Sequence, residues 1–84
     1  MNNKILVNVF SPEFSEVYEI FIPVNEYVSV VVNLISNVIA NMNGIDGLTG
    51  KKYILMNKKT LQIYSNKSIV RDTDIENSVD LVLL

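Results

Sequence analysis

The stretch Val28-Ser29-Val30-Val31-Val32-Asn33-Leu34-Ile35-Ser36-Asn37-Val38-Ile39-Ala40-Asn41-Met42 decides how this chain folds. Its valine and isoleucine content favours extended backbone by propensity, because β-branched side chains are stiff at χ1 and pack well on a pleated surface. Periodicity points the other way. At 100° per residue, Val28, Val31, Val32, Ile35, Val38, Ile39 and Met42 fall within an arc of about 120°. Ser29, Asn33, Ser36, Asn37, Ala40 and Asn43 take the opposite side. Strand alternation fails here, since Val30-Val31-Val32 and Leu34-Ile35 are unbroken apolar runs with no polar partner face. The spacing therefore predicts a helix over Val28–Met42, with Val30 and Leu34 widening its apolar side and Gly44 placed to cap its C-terminus.

Working outward, residues 5–10 put Ile5, Val7 and Val9 on one side and Leu6, Asn8 and Phe10 on the other, the period of a strand. Ser11-Pro12-Glu13 begins a turn. Residues 16–22 alternate again, with Tyr18, Ile20 and Ile22 opposite Val17, Glu19 and Phe21, which closes a hairpin. Pro23, lacking an amide hydrogen, is expected to end the pairing. Beyond the helix, Gly44-Ile45-Asp46-Gly47-Leu48-Thr49-Gly50 reads as a loop. A phosphate-cradling loop leads from a strand into a helix N-terminus, whereas this one leaves a helix for a strand, so phosphate binding is set aside. Residues 53–56 form the next strand, with Ile54 and Met56 assigned inward and Tyr53 and Leu55 outward. A shorter strand follows over 61–64, then a compact turn or 3₁₀ piece over 70–75. The final strand, 79–84, turns Val79, Leu81 and Leu83 to the core and Asp80, Val82 and Leu84 out.

The order of hairpin, helix, strand, short strand and final strand is that of a β-grasp. A right-handed crossover through the helix places the last strand parallel to the first in the middle of the sheet, with the helix on one face. The fold class expected is α+β, a mixed sheet of four to five strands with one helix on it. Residues 1–84 are read as a single domain, since 84 residues leave room for one core.

Composition limits the chemistry. Without cysteine there is no disulfide or thiol nucleophile, and without histidine there is no imidazole acid-base work and hardly any transition-metal site. No catalytic residue, cofactor or metal is expected. Asp72 and Asp74 are the nearest carboxylate grouping, and Asp72 reads as a turn residue accepting from local amides. A net charge of -2 offers no footprint for nucleic acid, whose nonspecific affinity comes from lysine and arginine on phosphates. The start lacks a signal-peptide pattern, and no run reaches the roughly 20 apolar residues a bilayer span needs, so a cytoplasmic protein without membrane insertion is expected.

Most of the chain resembles ubiquitin: the long helix after Pro23, Leu61 after a lysine-bearing turn, Val70-Arg71-Asp72-Thr73-Asp74-Ile75, and Val79-Asp80-Leu81-Val82-Leu83. It is more similar still to the bacterial YukD-like or EsaB-like ubiquitin-like proteins of type VII (WXG100) secretion systems, through Tyr18-Glu19-Ile20-Phe21-Ile22-Pro23 followed by Val28 and the aliphatic helix. That resemblance implies a noncovalent accessory or regulatory subunit whose partners are secretion-system components. In that family the fold also recurs in a membrane component of the apparatus. Conjugation and sulfur transfer need a flexible Gly-Gly tail, and no glycine lies beyond Gly50, so a modifier or sulfur carrier is the weaker alternative.

By strand position, the outward residues Leu55 with Val82 or Leu84, rimmed by Tyr53 and Asp80, form the candidate partner-binding surface. Phe10, Phe14 and Phe21 suggest a second apolar area along the hairpin. Lys51-Lys52 and Lys58-Lys59 read as solvated strand ends that discourage edge-to-edge aggregation. Homodimerisation through the same patch is the competing reading.

Overall fold

A computed structural model describes residues 3–45 and 52–84. Within them, strands β1 (Lys4–Ser11) and β2 (Glu16–Pro23) precede helix α1 (Val28–Met42), strand β3 (Leu55–Asn57), a 3₁₀ turn at Val70–Asp72 and strand β4 (Asp80–Leu83). The strands form one mixed sheet in the order β2-β1-β4-β3. β1 pairs antiparallel with β2 and parallel with β4, and β3 pairs antiparallel with β4. This is the β-grasp arrangement, with the two central strands parallel and both edge strands antiparallel to their neighbours.

The helix forms where the periodicity places it, and its aliphatic side closes the core. Val28, Val31, Val32, Ile35 and Ile39 are buried together with Val7, Val9, Tyr18, Ile20, Ile22, Leu55, Leu81 and Leu83 from the sheet. The buried arc is rotated from the expected one. Ser36 and Ala40 lie inside, and the Ser36 hydroxyl donates to the Asn33 carbonyl oxygen at 3.0 Å, so it carries no unmet hydrogen-bonding need. Met42, in the last turn, is 66% exposed. The end is a Schellman motif: Ile45 N–H donates to Ala40 O at 2.9 Å and Gly44 N–H to Asn41 O at 3.2 Å. Gly44 takes the left-handed φ of +71° that this closure requires.

No side chain caps the other end of the helix. The Val28 and Ser29 amides instead donate to the Ser68 and Asn66 carbonyls, and those of Val30 and Val31 to Tyr27 O. Two of the first turn's donors are thus met by backbone of the distant 66–68 segment, and two by Tyr27 just before the helix. Loop 66–71 is stitched to residues 24–29 in return, since Val70 N–H donates to Glu26 O and Arg71 N–H to Val24 O.

Three expectations are corrected. The ladder between β1 and β2 runs through Pro23, because Pro23 opposes Lys4 in a pair that exchanges no hydrogen bonds, and Val24 N–H donates to Asn3 O beyond it. Residues 61–64 form a single bridge, Ile63 to Met56, instead of a strand. The turn before it takes over: Asn57 Oδ1 accepts from the Lys59 and Thr60 amides, and Leu61, donating to Asn57 O, has a φ of +65° that breaks extended pairing. In the segment 70–75 the capping side chain is Thr73, whose hydroxyl donates to Val70 O and accepts from Ile75 N–H. The Asp72 carboxylate lies instead 4.0 Å from Arg71 Nε at the surface.

Packing sets the stability of this arrangement. Ile35→Ala is expected to cost about 2–5 kcal/mol, as large-to-small changes at fully buried sites do. Met42→Ala should cost less than about 0.5 kcal/mol, and Gly44→Ala about 1 kcal/mol from its left-handed backbone alone. Denaturant unfolding of the three variants checks the ranking.

Candidate functional site

The register of the sheet decides which side chains share its helix-free face. Phe10 opposes Val17 on β2 and Val82 on β4, Val82 opposes Met56 on β3, and Met56 bridges to Ile63. Directly opposed residues point to the same side, so Val17, Phe10, Val82, Met56 and Ile63 form one apolar row crossing the whole sheet. Below it, Glu19, Asn8 and Asp80 form an acidic and amide row, with Asn8 Nδ2 donating to Asp80 Oδ1 at 3.3 Å. Above it lie Ile54 and Leu84, whose backbones exchange two hydrogen bonds of 2.9 Å. Lys58 Nζ sits 6.0 Å from the centroid of the Phe10 ring, at the edge of cation–π range. No described element packs across this face.

The five residues singled out from sequence do not end up together. Leu84 is exposed and Asp80 is exposed beside Asn8, both on the open face. Val82 faces the same way and is only 7% exposed, because Phe10 and Met56 flank it on neighbouring strands. Leu55 is a correction: it is fully buried in the helix-side core, paired with Leu83. Tyr53 shares its parity and is packed partly against that core, its hydroxyl donating to Glu13 Oε1 at 2.8 Å. The inward assignment of Ile54 and Met56 is corrected with it, since both lie on the open side.

The alternation of Ile54-Leu55-Met56 reads equally well in either phase, as all three side chains are apolar. Asn57 breaks the tie. Its side chain points inward, where Nδ2 donates to the Tyr64 hydroxyl at 3.1 Å while Oδ1 holds the turn, so Leu55 two residues earlier must also point inward. Met56 was missed for that reason, whereas Ile63, to which the sequence assigns no side, joins the apolar row through its bridge to Met56. The signal that finds them is the pairing of this strand with Val82. Of the hairpin phenylalanines, Phe10 and Phe21 lie on the open face, whereas Phe14 packs against the helix-side core. Lys51 and the loop stretch 46–50 lie outside the described residues.

On the helix side, a cleft of about 200 Å³ is lined by Ser29, Val32, Asn33, Lys52, Tyr53 and Asn66. The helix N-terminal amides beside it are already engaged by carbonyls, so the helix terminus offers it no free backbone donor. Among the described residues no three carboxylates come together in a metal-binding group.

Two phenols have shifted ionisation. Burial pushes Tyr64 up to about 12, reinforced by its 2.6 Å donation to Asp74 Oδ1 and opposed by the Asn57 amide. Burial and the bond to Glu13 push Tyr53 up to about 12 as well. Both bonds need the phenolic proton and tie the strand–loop segment 53–64 to the rest of the molecule. They position backbone and leave the open face untouched.

No family model matches the chain, and no curated protein matches it. Solved structures do. The N-terminal ubiquitin-like domain of the 4931431F19Rik protein superposes with a TM-score of 0.75 at 18% identity, covering 100% of this chain and 76% of that one. A ubiquitin-like domain of an Arabidopsis thaliana protein gives 0.71 at 18%, covering 99% and 78%. The fold is ubiquitin-like. A chain of the MycP5-free ESX-5 inner membrane complex gives 0.76 at 15%, covering 99% of this chain and 21% of that far longer one. At these identities the likeness is one of fold.

The raised phenols make an alkaline prediction. Between the ordinary tyrosine value of 10.0 and about 12, unfolded chains lose the Tyr53 and Tyr64 protons while folded chains keep them, so stability falls as pH rises through that window. Tyr64→Phe should cost about 1 kcal/mol at neutral pH and flatten the alkaline fall. Unfolding followed at neutral pH and above the ordinary tyrosine value measures both effects.

Proposed function

We propose that this chain is a non-catalytic ubiquitin-like adaptor of the cytoplasm that acts by noncovalent protein binding through the open face of its sheet. In this reading it serves a type VII (WXG100) secretion machine. The observation that carries the binding role is the apolar row Val17, Phe10, Val82, Met56 and Ile63, which crosses all four strands with no described element covering it. Scattered apolar side chains are ordinary surface, whereas a contiguous row flanked on one side by polar groups fits a protein partner. The core of the row is pre-formed, since Val82 is held between Phe10 and Met56, and its ends at Val17 and Ile63 are 59% and 56% exposed. Such a surface needs little reordering on binding.

Catalysis finds no support in the titratable groups. The two that are displaced are phenols already spent on structural bonds to Glu13 and Asp74. The secretion assignment is supported by the resemblance of residues 18–23 and the aliphatic helix to YukD-like and EsaB-like proteins, and by the likeness to a chain of an ESX-5 inner membrane complex. No described helix is long and apolar enough to cross a membrane. Contact with a membrane-anchored component would then run through a soluble portion of that component.

The reading is tested by placing a photo-crosslinking residue at Leu84 in cells that carry the secretion apparatus, with Asn37 on the outer side of the helix as control. Crosslinks from position 84 to an apparatus component are expected, absent from position 37 and weakened about tenfold when Ile63→Asp sets a charge at the exposed end of the apolar row. Equal crosslinking from both positions overturns the open face as the docking surface. A wild-type dimer that Ile63→Asp dissociates in light scattering would assign the face to self-association instead.

A further inference from the structure

The two edges of the sheet are not alike. β3 is three residues long, and its outer side is already occupied, with Asn57 N–H donating to Gln62 O and Tyr64 N–H to Leu55 O. β2 is eight residues long and ends the sheet on the other side. The bond from Val24 N–H to Asn3 O fixes the phase of its ladder: residues 16, 18, 20 and 22 exchange bonds with β1. The N–H and C=O groups of Val17, Glu19 and Phe21 therefore point outward, and no turn, loop or helix among the described residues bonds to them.

Protections usual for an exposed edge are sparse. The register is continuous from Glu16 to Pro23, so no bulge twists the edge away; the strand carries no lysine, and its proline is the last residue. Val17 and Phe21, 59% and 60% exposed, stand on the open face with Glu19 between them, and Glu19 has no ion pair among the described residues.

We propose that the free edge of β2 takes up an extended peptide segment whose side chains alternate apolar, basic, apolar opposite Val17, Glu19 and Phe21. Unpaired groups at strand spacing are met by another extended backbone, which fixes the conformation of the occupant. The cross-strand rows fix its side chains. An added strand lengthens the apolar row beyond Val17 and places one residue beside Glu19, where a cation is favoured and a carboxylate is repelled. A second copy of this chain, pairing β2 with β2 antiparallel about Glu19, would set two carboxylates face to face. Charge thus selects a heterologous basic strand. The inference rests on the protein-binding reading above and names the form of the partner.

The test uses the isotope-labelled chain and two synthetic capped peptides, Thr-Val-Thr-Lys-Thr-Val-Thr and the same peptide with glutamate for lysine. Binding of the lysine peptide should slow solvent exchange of the Val17, Glu19 and Phe21 amides. Glu19→Lys should weaken that binding about fivefold and reverse the preference toward the glutamate peptide, as expected when an exposed attractive pair becomes repulsive. Far-UV circular dichroism verifies that the variant is folded. Millimolar peptide that leaves the three amides exchanging as in the free chain overturns the proposal, as does a preference that Glu19→Lys does not change. Protection that rises with protein concentration alone assigns the edge to a second copy and overturns it too. Ile63→Asp separates the two readings: it should leave edge binding intact while weakening the crosslinks from position 84.

Discussion

One helix can cover one face of a sheet, and that constraint shapes the rest of this molecule. Fifteen residues of α1 reach about 22 Å, enough to bury the inner side chains of all four strands but leaving nothing among the described elements for the outer side. The branched aliphatic residues at positions 28, 31, 32, 35 and 39 are what hold the helix down. Their burial is the dominant favourable term available to a chain with no cysteine from which to form a disulfide. The parallel pairing of β1 with β4 follows, because a chain that crosses one face through the helix returns to the sheet in the direction it left.

The inner face was legible in the residue order because its signals are long. Fifteen residues of helical period and two strands of eight leave no second phase that segregates polar from apolar, so Val7, Val9, Ile20, Ile35 and Ile39 could be assigned to the core. The outer face was less legible where its strand is short. Residues 54–56 are apolar throughout, and their phase is set at a distance by Asn57, whose side chain is committed to the 57–61 turn and to Tyr64. Leu55 consequently exchanged places with Met56 and Ile54. The left-handed Leu61, which reduces the expected fifth strand to one bridge, has no composition cue, since glycine is the usual occupant of such a position.

The binding role proposed above draws on what the helix does not reach. The outer face carries an apolar row with an acidic row beside it, and the β2 edge continues both rows to the limit of the sheet. The phenols and amides of the inner side are engaged in holding loops: Tyr53 on Glu13, Tyr64 on Asp74 and Asn57. Recognition by a surface that is already built, with backbone groups exposed at one margin, is the activity this architecture suits.

The measurement that tests this account most directly is a methyl-resolved nuclear Overhauser map of the full chain combined with a soluble paramagnetic probe. The account predicts contacts from the Ile35 and Ile39 methyls to those of Val7, Ile20 and Leu81, with Met56, Ile63 and Leu84 methyls broadened by the probe. Contacts from another segment of the chain onto Met56 and Ile63, with those methyls shielded from the probe, would show the outer face to be covered from within and would contradict it.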